Sequence, residues 1–169
     1  MGKSTKIVRK KKKSKKRNPV VRCPYCGAVA RFQSADGIYR DNSNHTMLYV
    51  CPNFPECDSY VRVHKGTKIP VGSMANQELR KLRKEAHDHF DRLYQYGYMS
   101  KQDAYQWLAD IIAAPLAEAH IGHMSEYYCQ LVIKKSEELF EARKKQERKQ
   151  FKVIGGGHYE TGCRGKEAG

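Results

Sequence analysis

Two different spacings of apolar residues divide this chain near residue 75. Before that point the pattern has the period of two expected of strands. Ala28, Ala30 and Phe32 alternate with Val29 and Arg31, which predicts a first strand. A turn at Ala35, Asp36 and Gly37 leads into a predicted second strand over residues 38–40, and a polar loop, DNSNH, follows. Residues 47–50 and 59–63 read as a third and a fourth strand. In the last of these, Val61 and Val63 occupy one face while Tyr60, Arg62 and His64 occupy the other. Gly66, Pro70 and Gly72 mark residues 65–74 as a linker.

Beyond the linker the spacing becomes three and four. Leu79, Leu82, Ala86, Phe90 and Leu93 form the apolar stripe of an amphipathic helix over residues 76–96, which Gly97 ends. Ser100 starts a second helix, with Asp103 as its capping partner and Ala104, Trp107, Leu108 and Ile111 or Ile112 on its buried side. Pro115 opens a short element running to Ala119. Ser125 begins a long last helix, for which Tyr128, Leu131, Val132, Leu139 and Phe140 are the expected buried face. The first helix is too long to favour a helix-turn-helix reading of residues 76–112. The division is therefore residues 1–20 as a tail, 21–64 as a β module, 65–74 as linker, 75–153 as a helical domain and 154–169 as a flexible end.

Charge adds a partner class to this outline. The 169-residue chain carries a formal net charge of +14. Ten of its Lys and Arg residues fall between Met1 and Asn18, where there is no acid, so +4 remains for everything else. Lys10, Lys11, Lys12 and Lys13 form the densest part of that run. Such a segment has nothing to bury and repels itself, so it is expected to be a disordered basic arm. An excess of this size favours a polyanion, nucleic acid before others. No apolar run approaches the roughly 20 residues that span a bilayer, so a membrane partner is not expected. The basic N-terminus has no apolar stretch behind it and does not read as a secretory signal. The expected location is a reducing cytoplasm.

The cysteines then explain how so small a β module folds. Cys23 and Cys26 form a C-x2-C pair in CPYCG, and Cys51 and Cys57 a C-x5-C pair in CPNFPEC, with 24 residues between the pairs. In a reducing compartment, paired cysteines of this kind read as metal ligands rather than disulfides. Zn2+ takes four thiolates in a tetrahedron, and two short knuckles supply them. With all four positions filled by cysteine the ion has no open position for catalysis, so one structural zinc is expected. Pro24 and Pro52 stiffen the knuckles, and Gly27 permits the left-handed backbone that turns amides toward sulfur. The fold class expected is α+β: a small β zinc ribbon, then an α-helical domain, with the basic arm in front.

The wording of the two knuckles resembles the C-terminal four-cysteine zinc modules of type IA DNA topoisomerases. That resemblance covers residues 22 to about 64, and implies Cys23, Cys26, Cys51 and Cys57 as ligands and single-stranded or distorted DNA as partner. The gap between the knuckles is longer here, and no topoisomerase catalytic core is present, so that activity is not implied. A wider resemblance covers roughly residues 20–135. The ribbon, then GTKIPVGSMANQELRKLRKEAHDHFDRLY, MSKQDAYQWLA and HIGHM, is similar to a family of zinc-finger proteins found mainly in phages and prophages. It implies a phage or bacterial setting.

Aromatic and basic residues interleave on the ribbon, a combination that stacks bases and follows phosphates. Arg31, Tyr39, Arg40, Tyr60, Arg62 and Lys65 are the candidate nucleic-acid contacts there, together with Lys10–Lys13 of the arm; Phe32 and Phe54 read as core. The basic runs at 80–84 and 143–149 read as the wet faces of helices. His120 and His123, with Cys129 nearby, are read as capping or packing groups. No catalytic constellation is visible. The functional expectation is a non-enzymatic DNA-binding accessory protein. The alternative is a protein-interaction factor whose helical domain engages a host or phage protein.

Overall fold

The computed structural model describes residues 20–154, with side chains through Lys149. The expected arm with Lys10–Lys13, and the expected tail beyond Ile154, lie outside the described residues. The chain forms two compact units divided between Asn76 and Gln77. The class is α+β: a three-stranded antiparallel sheet, then three α-helices with two short 3-10 turns between the second and third. No helix among the described residues is long and apolar enough to cross a membrane.

The sheet has the order β1 (Arg31–Ser34), β2 (Met47–Val50), β3 (Tyr60–Arg62). Its register sets Phe32 opposite Tyr49 and Tyr49 opposite Val61, so these three share a face. That face joins Cys23, Cys51, Val63 and Met74 in the larger cluster of the ribbon. Arg31, Val50 and Tyr60 form a row on the other face, and Gln33, Leu48 and Arg62 the next row. There a second cluster forms from Ala35, Leu48 and Val50, covered by Ile38, Tyr39, Phe54 and Tyr60.

Residues 38–40 do not form the expected strand. The amides of Ile38 and Tyr39 both donate to the Ala35 carbonyl, at 3.0 and 2.8 Å, closing a tight turn. Three residues offer too few ladder bonds to hold an edge, whereas Ile38 and Tyr39 gain by covering Leu48 and Val50. Residues 65–74, expected as a linker, fold back on the ribbon instead. The Val71 amide donates to Arg62 O at 2.9 Å, and Ala75 and Tyr60 exchange two bonds at 3.1 and 3.2 Å. Met74 and Ala75 are buried as a result, and apolar burial outweighs the local turn signals of Gly66 and Pro70.

In the second unit α1 (Gln77–Gln95) buries Leu79, Ala86, Phe90 and Leu93, following the spacing of its stripe. Gly97 adopts φ +73° and its amide reaches the Tyr94 carbonyl, the left-handed ending that glycine permits. α2 (Lys101–Ile112) starts at Ser100, whose hydroxyl accepts from the Asp103 amide at 3.1 Å and donates to the Asp103 carboxylate at 2.7 Å. Ser100→Ala removes this cap and is expected to lower thermal stability by about 1 kcal/mol, read from the melting curve. An unchanged melting temperature would mean that water satisfies the Asp103 amide equally well.

α3 (Glu126–Ile154) packs against α1 with a buried face that differs from expectation. Cys129, Val132, Ser136 and Phe140 are buried, while Tyr128 remains 40% exposed. Leu131 and Leu139 lie half-buried at the margins of that face. The buried face thus carries the small side chains at 129 and 136 rather than only the largest apolar residues. His123 sits in the 3-10 turn Ile121–His123 beside α1, and its imidazole is held below its usual range by burial, with Arg83 and His120 adding to the effect. Arg83 itself donates twice to the Met124 carbonyl, at 2.9 and 2.7 Å.

Candidate metal centre

Each knuckle is a turn whose backbone amides point at sulfur. In the first, Gly27 N donates to Cys23 O and Cys23 N to Ala28 O, both at 2.9 Å. Gly27 takes φ +73°, which lets the chain reverse within five residues. In the second, Phe54 N donates to Cys51 O at 3.1 Å and Cys57 N to Asn53 O at 2.8 Å. The Cys51 amide bonds Ser59 O at 2.9 Å, so the strand leading into the knuckle is tied to the residue just before β3.

These turns bring four sulfurs together from positions up to 34 residues apart. The Sγ atoms of Cys23 and Cys57 are 3.5 Å apart, those of Cys26 and Cys51 3.4 Å, and all four lie within 4.8 Å of one another. A disulfide needs about 2.05 Å, so neither pair is bonded. A tetrahedron with Zn–S bonds of about 2.3 Å has edges of about 3.8 Å; two of the separations lie just under that value and none exceeds 4.8 Å. The donor set and its spacing fit: Cys23, Cys26, Cys51 and Cys57 are positioned to bind one zinc ion. Among the described residues no second group of three or more such ligands converges, and Cys129 is shut within the helical unit.

The thiols are not equivalent without metal. At Cys23 burial resists ionisation, yet the amides of Cys26 and Tyr25 and the thiols of Cys57 and Cys26 bring its pKa down to about 7. At Cys51 burial dominates and the neighbouring thiols add to it, pushing the pKa up to about 12. Burial and Cys23 also raise Cys57. Cys23 is therefore the easiest of these three to ionise, and Cys51 and Cys57 give up their protons to an arriving cation, as a metal site does. The Asn53 amide lies 3.7 Å from Cys26 Sγ and donates to it across the two knuckles. Sequence reading did not single out Asn53, because its role appears only when the knuckles meet. Tyr25, also between ligands, accepts from the Asn76 amide at 3.1 Å and ties the end of this unit to the first knuckle.

The expected nucleic-acid contacts fall in three places. Arg31, Tyr60 and Arg62 share the sheet face described above. Arg31 and Arg62 are exposed, but Tyr60 is half-buried and meets Tyr39 edge to face at 6.1 Å. Both tyrosines therefore spend part of their surface on Leu48 and Val50, and only the remainder is open to a partner. Arg40 is exposed in the bend after Tyr39, and Lys65 is exposed in the turn after β3. Phe32 packs on Tyr49 with ring centroids 5.3 Å apart, and Phe54 lies in the second cluster, so both serve the core.

No curated protein and no solved structure matches the chain. Residues 19–139 match the family model described as a zinc-finger-containing domain, DUF3268. The match spans well over half of the sequence and includes all four converging cysteines, so this chain belongs to the zinc-finger-containing family DUF3268.

Proposed function

We propose that this protein is a non-enzymatic, cytoplasmic DNA-binding accessory protein of phage or prophage origin, in which zinc only builds the ribbon. The observation that carries the reading is the placement of Arg31, Tyr60 and Arg62 on one sheet face, with Arg40 and Lys65 exposed on the same unit. Cations and partly exposed rings side by side suit a single strand, whose bases offer π faces and whose phosphates offer charge. The net charge of +14 supports the same partner. The resemblance of the knuckles to topoisomerase zinc modules favours single-stranded or distorted DNA.

The test is a titration of zinc-loaded, full-length protein with a fluorescent oligodeoxythymidylate at several salt concentrations. Neutralising roughly four phosphates of a single strand gives a loss of about 50-fold in affinity between 50 and 200 mM salt. Binding no tighter than millimolar at 50 mM salt, for DNA and RNA alike, would sink the proposal.

A second reading has its own observation. Tyr96 and Tyr127 are 69% and 67% exposed on the helical unit, and aromatic side chains are favoured anchors in protein interfaces. Here the helices would carry a host or phage protein. A stoichiometric partner retained from host lysate after nuclease treatment, and lost in a Tyr96→Ala, Tyr127→Ala double variant, supports this second reading over the first.

A further inference from the structure

The ribbon contains a cleft of about 350 Å³ between two of its turns, lined by none of the four zinc-binding cysteines. That volume lies at the small end of ligand sites and matches one nucleotide unit rather than a macromolecular face. Its lining includes Arg62, Lys65, His45, His64 and Asn44, all exposed, together with the half-buried Met47 and Val71 and the buried Val63. No carboxylate lines it. Among the described residues neither Arg62 nor Lys65 is committed to an ion pair.

Both walls are held before any ligand arrives. On one side Asn42 acts as a brace. Its amide nitrogen donates to Ser34 Oγ at 3.0 Å and Asp36 Oδ1 at 2.9 Å, and its carbonyl oxygen accepts from the Thr46 amide at 2.7 Å. Those bonds also hold the Asp36 carboxyl below the usual carboxylate range, the Ser34 hydroxyl first and Asn42 second. The turn so fixed ends in His45 at φ 50°, a left-handed conformation uncommon outside glycine. On the other side Thr67 donates to the His64 carbonyl through both its amide, at 3.0 Å, and its hydroxyl, at 2.9 Å. The Ile69 amide donates back to Thr67 Oγ1 at 3.1 Å. Between the two sides, Val63 N donates to Met47 O at 3.1 Å. A cleft whose walls are already ordered loses little entropy on binding.

We infer that this cleft is a subsite for one nucleoside phosphate, its phosphate held by Arg62 and Lys65 and its base or sugar lying against the half-buried Met47 and Val71. The inference rests on the proposed DNA-binding reading and deepens it, turning a diffuse basic surface into a defined position for one unit of the strand. A guanidinium supplies the planar two-donor contact that phosphate accepts, and the lysine adds a point charge beside it. The apolar side chains of Met47 and Val71 distinguish a nucleotide from a bare anion. The same chemistry would also accept a free mononucleotide, and experiment separates the two sources.

The test uses zinc-loaded full-length protein, 15N-labelled, titrated separately with thymidine 5′-monophosphate and inorganic phosphate, and in parallel with labelled oligodeoxythymidylate. Thymidine 5′-monophosphate is expected to shift the amides of residues 44–47 and 62–67, and inorganic phosphate to shift them far less at equal concentration. The Arg62→Ala, Lys65→Ala double variant abolishes the mononucleotide response and weakens the oligomer about tenfold, in line with two lost phosphate contacts. Replacing Lys10, Lys11, Lys12 and Lys13 by Ala weakens the oligomer while leaving the mononucleotide shifts intact. Both altered residues are exposed, and unchanged zinc content with a dispersed amide spectrum shows that the double variant is folded. An oligomer bound more tightly than the mononucleotide identifies the strand as the source, and equal affinities identify free nucleotide; either supports the subsite. Mononucleotide shifts outside these segments, shifts that survive the double variant, or equal shifts from inorganic phosphate overturn it. Should the oligomer bind while the cleft gives no response, the subsite fails and the DNA-binding reading stands. Should the cleft respond while no oligomer binds, the reverse holds.

Discussion

Stripping zinc from the full-length protein unfolds residues 20–76 and leaves the helices standing. The sheet of this unit has strands of only four, four and three residues. Its larger cluster is built around Cys23 and Cys51, both 2% exposed. A module of this size buries too little apolar surface to fold reliably alone. Structural zinc contributes on the order of 10 kcal/mol or more to such modules, which exceeds anything the clusters supply. Without the ion, Cys23, Cys26, Cys51 and Cys57 become a knot of sulfur atoms, some carrying charge in a half-closed site. Chelation, or Cys51→Ser, is therefore expected to collapse the dispersed amide resonances of residues 20–76. The far-ultraviolet helix signal is retained, because the helices of 19, 12 and 29 residues belong to the other unit. Metal analysis should find one zinc per chain before treatment. Protons compete with zinc for the thiolates, so the ion is also expelled as pH falls. A chelated protein that keeps its dispersed spectrum would contradict this account.

The second large effect belongs to Phe90. Its side chain is fully buried, at 0% exposure, and it sits at the centre of the aromatic packing of the helical unit. Tyr94 and Tyr105 meet its ring edge to face, at 5.9 and 5.1 Å, and Trp107 stacks nearly parallel at 6.5 Å. Phe90→Ala removes the ring from all three at once and leaves a cavity that rigid helices cannot close. Truncations of this kind cost about 3–5 kcal/mol, against total stabilities of about 5–15 kcal/mol. For a unit of this length the melting temperature should fall by roughly 15–30 °C. Thermal denaturation followed at 222 nm measures it. The zinc content of the variant should be unchanged, since the ligands lie in the first unit. A fall of only a few degrees would show that Trp107 and the tyrosines repack into the space.

The zinc centre was legible because its signal is local and chemically exclusive. Cys23 and Cys26 belong to one turn, Cys51 and Cys57 to another, and few structures other than a metal site require that pairing. α1 was legible for a related reason, since five apolar residues at helical spacing define a face without reference to a partner. α3 was misread in part because its partner decides which face is inside. Tyr128 is large and apolar in body, yet the helix buries Cys129 and Ser136 and leaves Tyr128 half open. The turn at residues 38–40 was misread because an Ile-Tyr pair satisfies a strand pattern equally well when it caps a sheet as when it joins one.

What the sequence determined by itself is the set of ligands, the metal, the α+β order of elements and the helix cap at Ser100. Each depends on residues close in the chain or on a spacing with one chemical meaning. What only the tertiary structure decided is where long-range contacts win over local preference. Residues 65–74 fold back because Met74 and Ala75 find a place to be buried. Asn53 becomes a donor to Cys26 because the knuckles converge. Arg62 and Lys65 come to share a cleft with His45 because β2 and β3 pair in one register. A side chain's partners across a sheet are fixed by pairing, and pairing is settled by burial over the whole unit.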